Sequence, residues 1–218
     1  MHGPTFTSSI RLYGLFSDDP HDSANDLLVT HDDSGHGAIR AFVSRLDAEI
    51  VLNACGAQGY HARLLSQCFD PNAYLRAHQG WLRLHICYGF AAHQYNLLEM
   101  NEWLVPVGRL AQVHIGEWTD AHYLSWGQEL TQLLQTCYEQ AGLRNYNALL
   151  NEWDDASASE IRWQANEALR AMPPRLSGHE PLSQIALFDA VECRWCFAST
   201  NNDARALRPQ TPPQGTLS

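Results

Sequence analysis

The spacing of apolar residues predicts strands in the first half of the chain. Residues 9–16 alternate between apolar and polar positions, as a half-buried strand does. Residues 26–30 and 38–43 are apolar, β-prone runs on either side of Asp33-Ser34-Gly35, which has the composition of a turn. We therefore expect one strand followed by a β-hairpin.

Two helices and a longer strand are predicted next. Ser44 lies three residues before Asp47, the spacing of a capping-box variant, and the following residues form one apolar face. A second helix is expected over residues 70–79, because it opens with Asp as N-cap and Pro at the first helical position. Residues 81–90 alternate an apolar set with a mixed set, which indicates a strand with one face in the core.

The second half of the chain is mainly helical in pattern. We expect strands at residues 103–107 and 111–115, then a helix from Asp120, as its N-cap, to Ala141, ended by Gly142. A short helix over residues 143–150 should lead into a loop at 152–155.

A further helix and a final strand pair complete the pattern. Ser157 and Glu160 form a capping box for a helix that continues to about Met172, where Pro173-Pro174 stops it. Residues 184–198 indicate a strand pair, and residues 201–218 have the composition of a disordered tail. Together these elements predict an α+β fold, a single domain over residues 1–200, with an antiparallel or mixed sheet covered by helices concentrated in the second half.

The net charge of the chain says more about its function than its length does. The 218-residue chain has a formal net charge of −10, and it contains no Lys. Residues 95–160 hold 10 acidic and 2 basic side chains. Binding to nucleic acid is disfavoured, because it requires a basic stripe that neutralises phosphates. An apolar run long enough to span a membrane and a signal peptide are both missing from the sequence, so we expect a cytoplasmic protein that does not bind membranes.

Cysteine and histidine offer little chemistry. Cys193 and Cys196 have the spacing of half a zinc site, but on a strand their side chains would point to opposite faces. His31, Asp32, Asp33 and His36 are a ligand-rich group, which hairpin-loop composition explains equally well. We find no phosphate-binding loop, paired-His helix motif or nucleophile elbow, and expect neither a cofactor nor a metal.

An acidic, Trp-containing surface is the strongest functional candidate. If the helix that follows Ser157 buries its apolar side, Trp163 points outward, close in sequence to the acidic segment 152–155. Exposed aromatics with acidic neighbours are typical of a surface that binds a basic protein. The predicted partner-binding residues are Glu117, Asp120, Glu152, Trp153, Asp154, Asp155 and Trp163.

This profile resembles the cytosolic immunity proteins that bacteria pair with antibacterial toxins: small, acidic, without catalytic motifs. The resemblance implies that the chain is a binding protein, not an enzyme, and that it blocks a basic toxin or effector domain by direct contact. Two alternatives stay open at this point. One is an enzyme that uses the residues of 31–36 or a Cys–His pair. The other is a structural or oligomeric subunit whose acidic face only keeps it in solution.

Overall fold

The predicted α+β architecture is confirmed. A computed structural model describes residues 4–17, 27–31, 37–57, 59–143 and 146–200. These residues form one mixed, curled sheet of eleven strands, resembling half of a barrel, together with six helices. Three of the six helices follow residue 127, as the sequence pattern predicted.

The strands vary from short edge segments to one strand that runs through the centre of the sheet. They are β1 (Tyr13–Ser17), β2 (Val29–His31), β3 (Gly37–Phe42), β4 (Tyr60–Leu64), β5 (Trp81–His93), β6 (Asn96–Met100), β7 (Trp103–Leu104), β8 (Pro106–His114), β9 (Arg175–Ser177), β10 (Gln184–Asp189) and β11 (Arg194–Ser199).

The helices lie on both faces of the sheet. They are α1 (Arg45–Ala54), α2 (Leu65–Cys68), α3 (Pro71–Ala77), α4 (Gln128–Gln140), α5 (Tyr146–Asp155) and α6 (Ala158–Arg170).

β5 organises the sheet. The main strand order is β11-β10-β5-β3-β1-β4, in which β5 pairs parallel with β3 and antiparallel with β10, and β8 also pairs antiparallel with β5. The register of β5 with β8 shifts between Cys87 and Phe90. Gly89 lies inside this irregularity with φ +141°, and a Cβ there would meet Ile185 and Leu187 at under 3 Å. The position therefore requires glycine.

The two faces of β5 separate two parts of the core. Leu84, Ile86 and Tyr88 belong to a cluster that includes buried residues of α3 and α4. Cys87 and Phe90 belong to a second cluster, which includes the buried apolar residues of α1 and, from α6, Ala165 and Ala168. The alternation predicted for residues 81–90 is thus confirmed, although both faces are covered over much of the strand.

Several predicted elements are confirmed at their caps. Ser44 Oγ accepts a hydrogen bond from the Asp47 backbone N–H at 3.2 Å at the start of α1. Asp70 caps α3 through two backbone N–H groups, and Ser157 Oγ accepts from the Glu160 N–H at the start of α6. The 26–43 hairpin is present as the antiparallel pair β2 and β3, while its turn lies outside the described residues.

Several boundaries differ from the prediction: the strand expected at 9–16 is β1, and those expected at 103–107 and 111–115 are β7 and β8. Two further differences concern predicted partner-binding residues. The long helix begins at Gln128 with Gly127 as its N-cap, so Asp120 is not a cap and lies in a non-helical segment. The acidic segment 152–155 is the last turn of α5 rather than a loop. Gly142, with φ +77°, follows α4 as predicted. Residues 201–218 lie outside the described part of the chain. Within that part, no helix is long and apolar enough to cross a membrane.

Candidate functional site

A groove lies between α4, α5 and residues 9–11. We call it the α4–α5 groove; its volume is about 810 Å³. Its floor is apolar and continuous with the core cluster on the α4 side of the sheet. The lining residues are Ser9, Ile10, Arg11, Val43, Thr131, Leu134, Gln135, Tyr138, Glu139, Leu143, Ala148, Leu150, Asn151 and Asp154.

α4 forms one wall because its residues recur with helical spacing. Leu134 and Tyr138 are buried at the floor, while Thr131, Gln135 and Glu139 are exposed along the rim. The Gln135 side-chain amide donates a hydrogen bond to Glu139 Oε1 at 2.8 Å, which restrains the Glu139 carboxylate at the rim. This wall therefore combines an apolar base with an acidic, hydrogen-bonding edge.

Asp154 joins the opposite wall to the sheet. Its carboxylate accepts hydrogen bonds from Arg11 Nη1 and from the Tyr13 hydroxyl. The Asp154 side chain is 8% exposed and that of Arg11 is 58% exposed. Burial, and then the bond to Asp154, raise the pKa of the Tyr13 phenol. Asp154 lines the groove, but its charge is already paired with Arg11. Its role is therefore to hold α5 against β1, not to bind a partner protein.

A second, smaller cavity lies next to the groove. We call it the Asp47 chamber; its volume is about 30 Å³. Tyr138, Leu143 and Leu150 line both cavities. The described residues that line the chamber are Ser44, Leu46, Asp47, Tyr138, Leu143, Leu149, Leu150, Trp153, Leu187 and Phe188.

Asp47 is the unusual group in this chamber. The residue is 5% exposed, and its Oδ2 atom is buried without a hydrogen-bond partner. The expected capping of α1 uses the Asp47 backbone N–H, which leaves the carboxylate uncommitted. Desolvation raises the pKa of Asp47 from 3.8 to about 7. A carboxylic acid that ionises near neutral pH beside an open groove is typical of a functional group.

The structure brings only some of the predicted partner-binding residues to this site. Asp154 lines the groove, and Trp153 lines the Asp47 chamber, half-buried against the core. Glu152 and Asp155 are exposed on the same turn of α5. Trp163 is 54% exposed on α6, as predicted, but lines neither cavity.

Glu117 and Asp120 lie on a different part of the protein surface. Both are exposed in the segment between β8 and α4. Between them, Trp118 is buried, stacks on Phe6 at 5.3 Å and donates its indole N–H to the Thr5 carbonyl. This segment packs on the N-terminal residues and α3, and neither carboxylate lines the groove.

The alternative catalytic groups are not assembled in the described residues. Asp32, Asp33 and His36 lie outside the described residues. The described residues contain no group of three or more His, Cys, Asp or Glu side chains placed to hold a metal. Cys193 is exposed in the turn before β11, and Cys196 is buried in that strand. The expectation that both cysteines lie on one strand was therefore wrong, because Cys193 precedes β11.

One Cys–His pair does occur, on β5. Cys87 Sγ is 3.8 Å from His85 Nδ1. Burial raises the pKa of Cys87 to about 12 and, together with the Arg40 charge, lowers that of His85 to about 4. Both groups are therefore neutral near pH 7, whereas Cys–His catalysis requires a thiolate.

The sequence pattern missed the two features that define the site. Asp47 was recognised only as a cap, although its position beside Ile50 and Val51 on the apolar face of α1 was a sign of burial. The groove depends on the contact of Asp154 with Arg11 and Tyr13, more than 140 residues away, for which no local pattern exists. Comparison of the chain with protein-family models, curated proteins and solved structures found no match in any of the three.

Proposed function

We propose that this protein is a binding module that takes a basic segment of another protein into the α4–α5 groove. The observation that carries the proposal is an open groove of about 810 Å³ with an apolar floor and the exposed Glu139 carboxylate at its rim, in a chain with a net charge of −10. Ligand pockets typically have volumes of about 300–1,000 Å³. The groove therefore has room for several side chains of a bound segment.

The two parts of the groove support different steps of binding. The half-buried Ile10 and Leu150 offer apolar area above the buried floor, and burial of that area slows dissociation. Glu139 at the rim, with the exposed Glu152 and Asp155 on the last turn of α5, gives this side of the molecule a negative potential. Such a potential attracts a basic partner and speeds its association.

The partner we propose is a toxin or effector domain with a positively charged cleft. Domains that attack nucleic acids need such a cleft to bind phosphates. An acidic protein seated over that cleft prevents access of the substrate. The support for this role is the acidic profile of the chain together with the groove, and the proposed mode of action is inhibition by direct binding.

The test is affinity capture from a lysate of the native cell with a matched pair of groove variants. Thr131 and Gln132 are neighbouring exposed residues of α4, and only Thr131 lines the groove. We expect Thr131→Trp to abolish retention of a basic partner that Gln132→Trp retains. Retention should weaken with added salt. Equal retention by both variants, or retention that salt does not change, would contradict binding in the groove.

A further inference from the structure

The buried carboxylate of Asp47 lacks the partner that such a group normally has. Buried charged or polar groups are almost always hydrogen-bonded, because the loss of water is otherwise uncompensated. Asp47 Oδ2 has no hydrogen-bond partner, and no ion pair of Asp47 occurs among the described residues. The carboxylate nevertheless lines a cavity instead of being enclosed in tight packing. The cavity therefore leaves room beside Asp47 Oδ2 for a hydrogen-bond donor that is not part of the described chain.

The lining of the chamber limits what that group can be. α5 contributes Leu149, Leu150 and Trp153, and β10 contributes Leu187 and Phe188, so these walls are apolar. The titratable groups that face Asp47 are the Tyr138 phenol, which lines the chamber, and the Cys87 thiol, whose pKa Asp47 helps to raise. Among the described lining residues, Asp47 is the single carboxylate, too few oxygen ligands for a divalent cation.

We propose that the Asp47 chamber binds the ammonium group of a lysine side chain from the segment that occupies the α4–α5 groove. The inference rests on the proposed function, and it names the residue that the site recognises. The lysine stem would pass the wall shared by the two cavities, formed by Tyr138, Leu143 and Leu150. Its ammonium would then donate a hydrogen bond to Asp47 Oδ2.

Size and charge favour lysine over arginine. The chamber volume of about 30 Å³ holds one water-sized group. An ammonium is a compact point charge of that size with three N–H donors, whereas a guanidinium is a larger plane with five. The methylenes of a lysine stem also suit the apolar wall. The chain itself contains no lysine that could occupy the site.

The test uses a small probe and needs no partner. n-Butylammonium reproduces the end of a lysine side chain, and 1-butanol reproduces its shape without the charge. We would titrate each into the isotopically labelled protein at constant ionic strength and follow the Trp153 indole N–H by NMR, assigned with Trp153→Phe. We expect saturable binding of n-butylammonium and at least about tenfold weaker binding of 1-butanol. Equal binding of the two, or no binding of n-butylammonium, would overturn the proposal.

Two variants and a pH series identify the carboxylate responsible. Asp47→Asn keeps the shape of the side chain and removes its charge, and should weaken n-butylammonium binding by about tenfold or more. Glu192→Gln, exposed in the turn between β10 and β11, should leave it unchanged. In the unaltered protein the affinity should rise as pH rises through about 7, when Asp47 ionises. Unchanged binding by Asp47→Asn, or an affinity independent of pH, would contradict the assignment.

The outcome separates this inference from the proposed function. If a basic partner binds in a Thr131→Trp-sensitive manner while n-butylammonium fails to bind, the groove proposal stands and the lysine site is wrong. If n-butylammonium binds through Asp47 while no basic partner is retained, the chamber is a cation site and the groove proposal is wrong.

Discussion

Tyr13 of β1 donates its hydroxyl hydrogen bond to the Asp154 carboxylate at the end of α5. This bond joins the start of the sheet to the wall of the α4–α5 groove, and Arg11 adds a second, charged bond to the same carboxylate. Residues more than 140 positions apart in the sequence therefore share one acceptor at the wall of the groove. Removal of either donor should loosen α5.

Tyr13→Phe removes one of these donors and keeps the ring that packs in the core. We expect a loss of about 1–3 kcal/mol in the free energy of unfolding, since the acceptor is a buried carboxylate. Urea denaturation measures this loss. In a double-mutant cycle with Asp154→Asn, the two changes should not add. Additive losses would show that the Tyr13 and Asp154 side chains do not interact.

The two tryptophans of the predicted binding surface should behave differently. Trp163 is 54% exposed, so Trp163→Ala should change stability by less than about 1 kcal/mol. Trp153 is half-buried and packs on the core, so Trp153→Ala should cost about 2–4 kcal/mol. Thermal and urea unfolding compare the two variants, and similar losses would contradict their placement.

Trp163 also has a predicted role in binding. If it is an interface residue, Trp163→Ala weakens partner binding by more than about 2 kcal/mol while the fold stays intact. Trp163→Phe, which retains an exposed aromatic ring, is the control. Unchanged affinity in Trp163→Ala would show that Trp163 is wrongly included among the partner-binding residues predicted from the sequence.

Charge reversal at the end of α5 should act on the rate of association. Glu152→Lys with Asp155→Lys changes two exposed charges, and should slow association more at low salt than at high salt. Glu192→Lys, exposed in the turn between β10 and β11, is the control and should have a small effect. Asp154 is left intact because its loss would break the contact with Arg11 and Tyr13. A loss of affinity independent of salt would mean that the variant disturbs α5 itself.

Asp47 should make stability depend on pH. Its pKa rises from 3.8 to about 7 on folding, so the native state holds a proton that the unfolded chain has released. The free energy of unfolding should therefore fall as pH rises from about 4 to about 8, by at most roughly 4 kcal/mol from this group. Asp47→Asn should remove this part of the dependence and unfold at a higher urea concentration than the unaltered protein at about pH 8. The same pH dependence in both proteins would contradict a raised pKa at this position.

Features set by residues close in sequence were predicted correctly, whereas features set by contacts between distant residues were not. The caps at Ser44, Asp70 and Ser157 are set by neighbours within a few residues, and the sequence pattern located all three. The start of α4 was misplaced because Asp120 is a favourable N-cap, whereas the buried contacts of Trp118 with Phe6 and Thr5 keep that segment irregular. Short strands such as β4 were missed because they form by pairing with distant parts of the chain, in this case with β1.

The exposure of Trp163 was predictable because one helix determines it. The partial burial of Trp153 was not, since it depends on α5 packing against residues from distant parts of the chain. The Asp47 carboxylate escaped notice because its burial is a tertiary property, even though its position on the apolar face of α1 is visible in the sequence.

The affinity of the captured partner for Thr131→Trp and Gln132→Trp, measured by calorimetry at low and at moderate salt, tests the central claim most directly. Binding in the α4–α5 groove predicts a loss of about 100-fold or more for Thr131→Trp and little change for Gln132→Trp. Equal affinities for the two variants would show that the partner binds elsewhere.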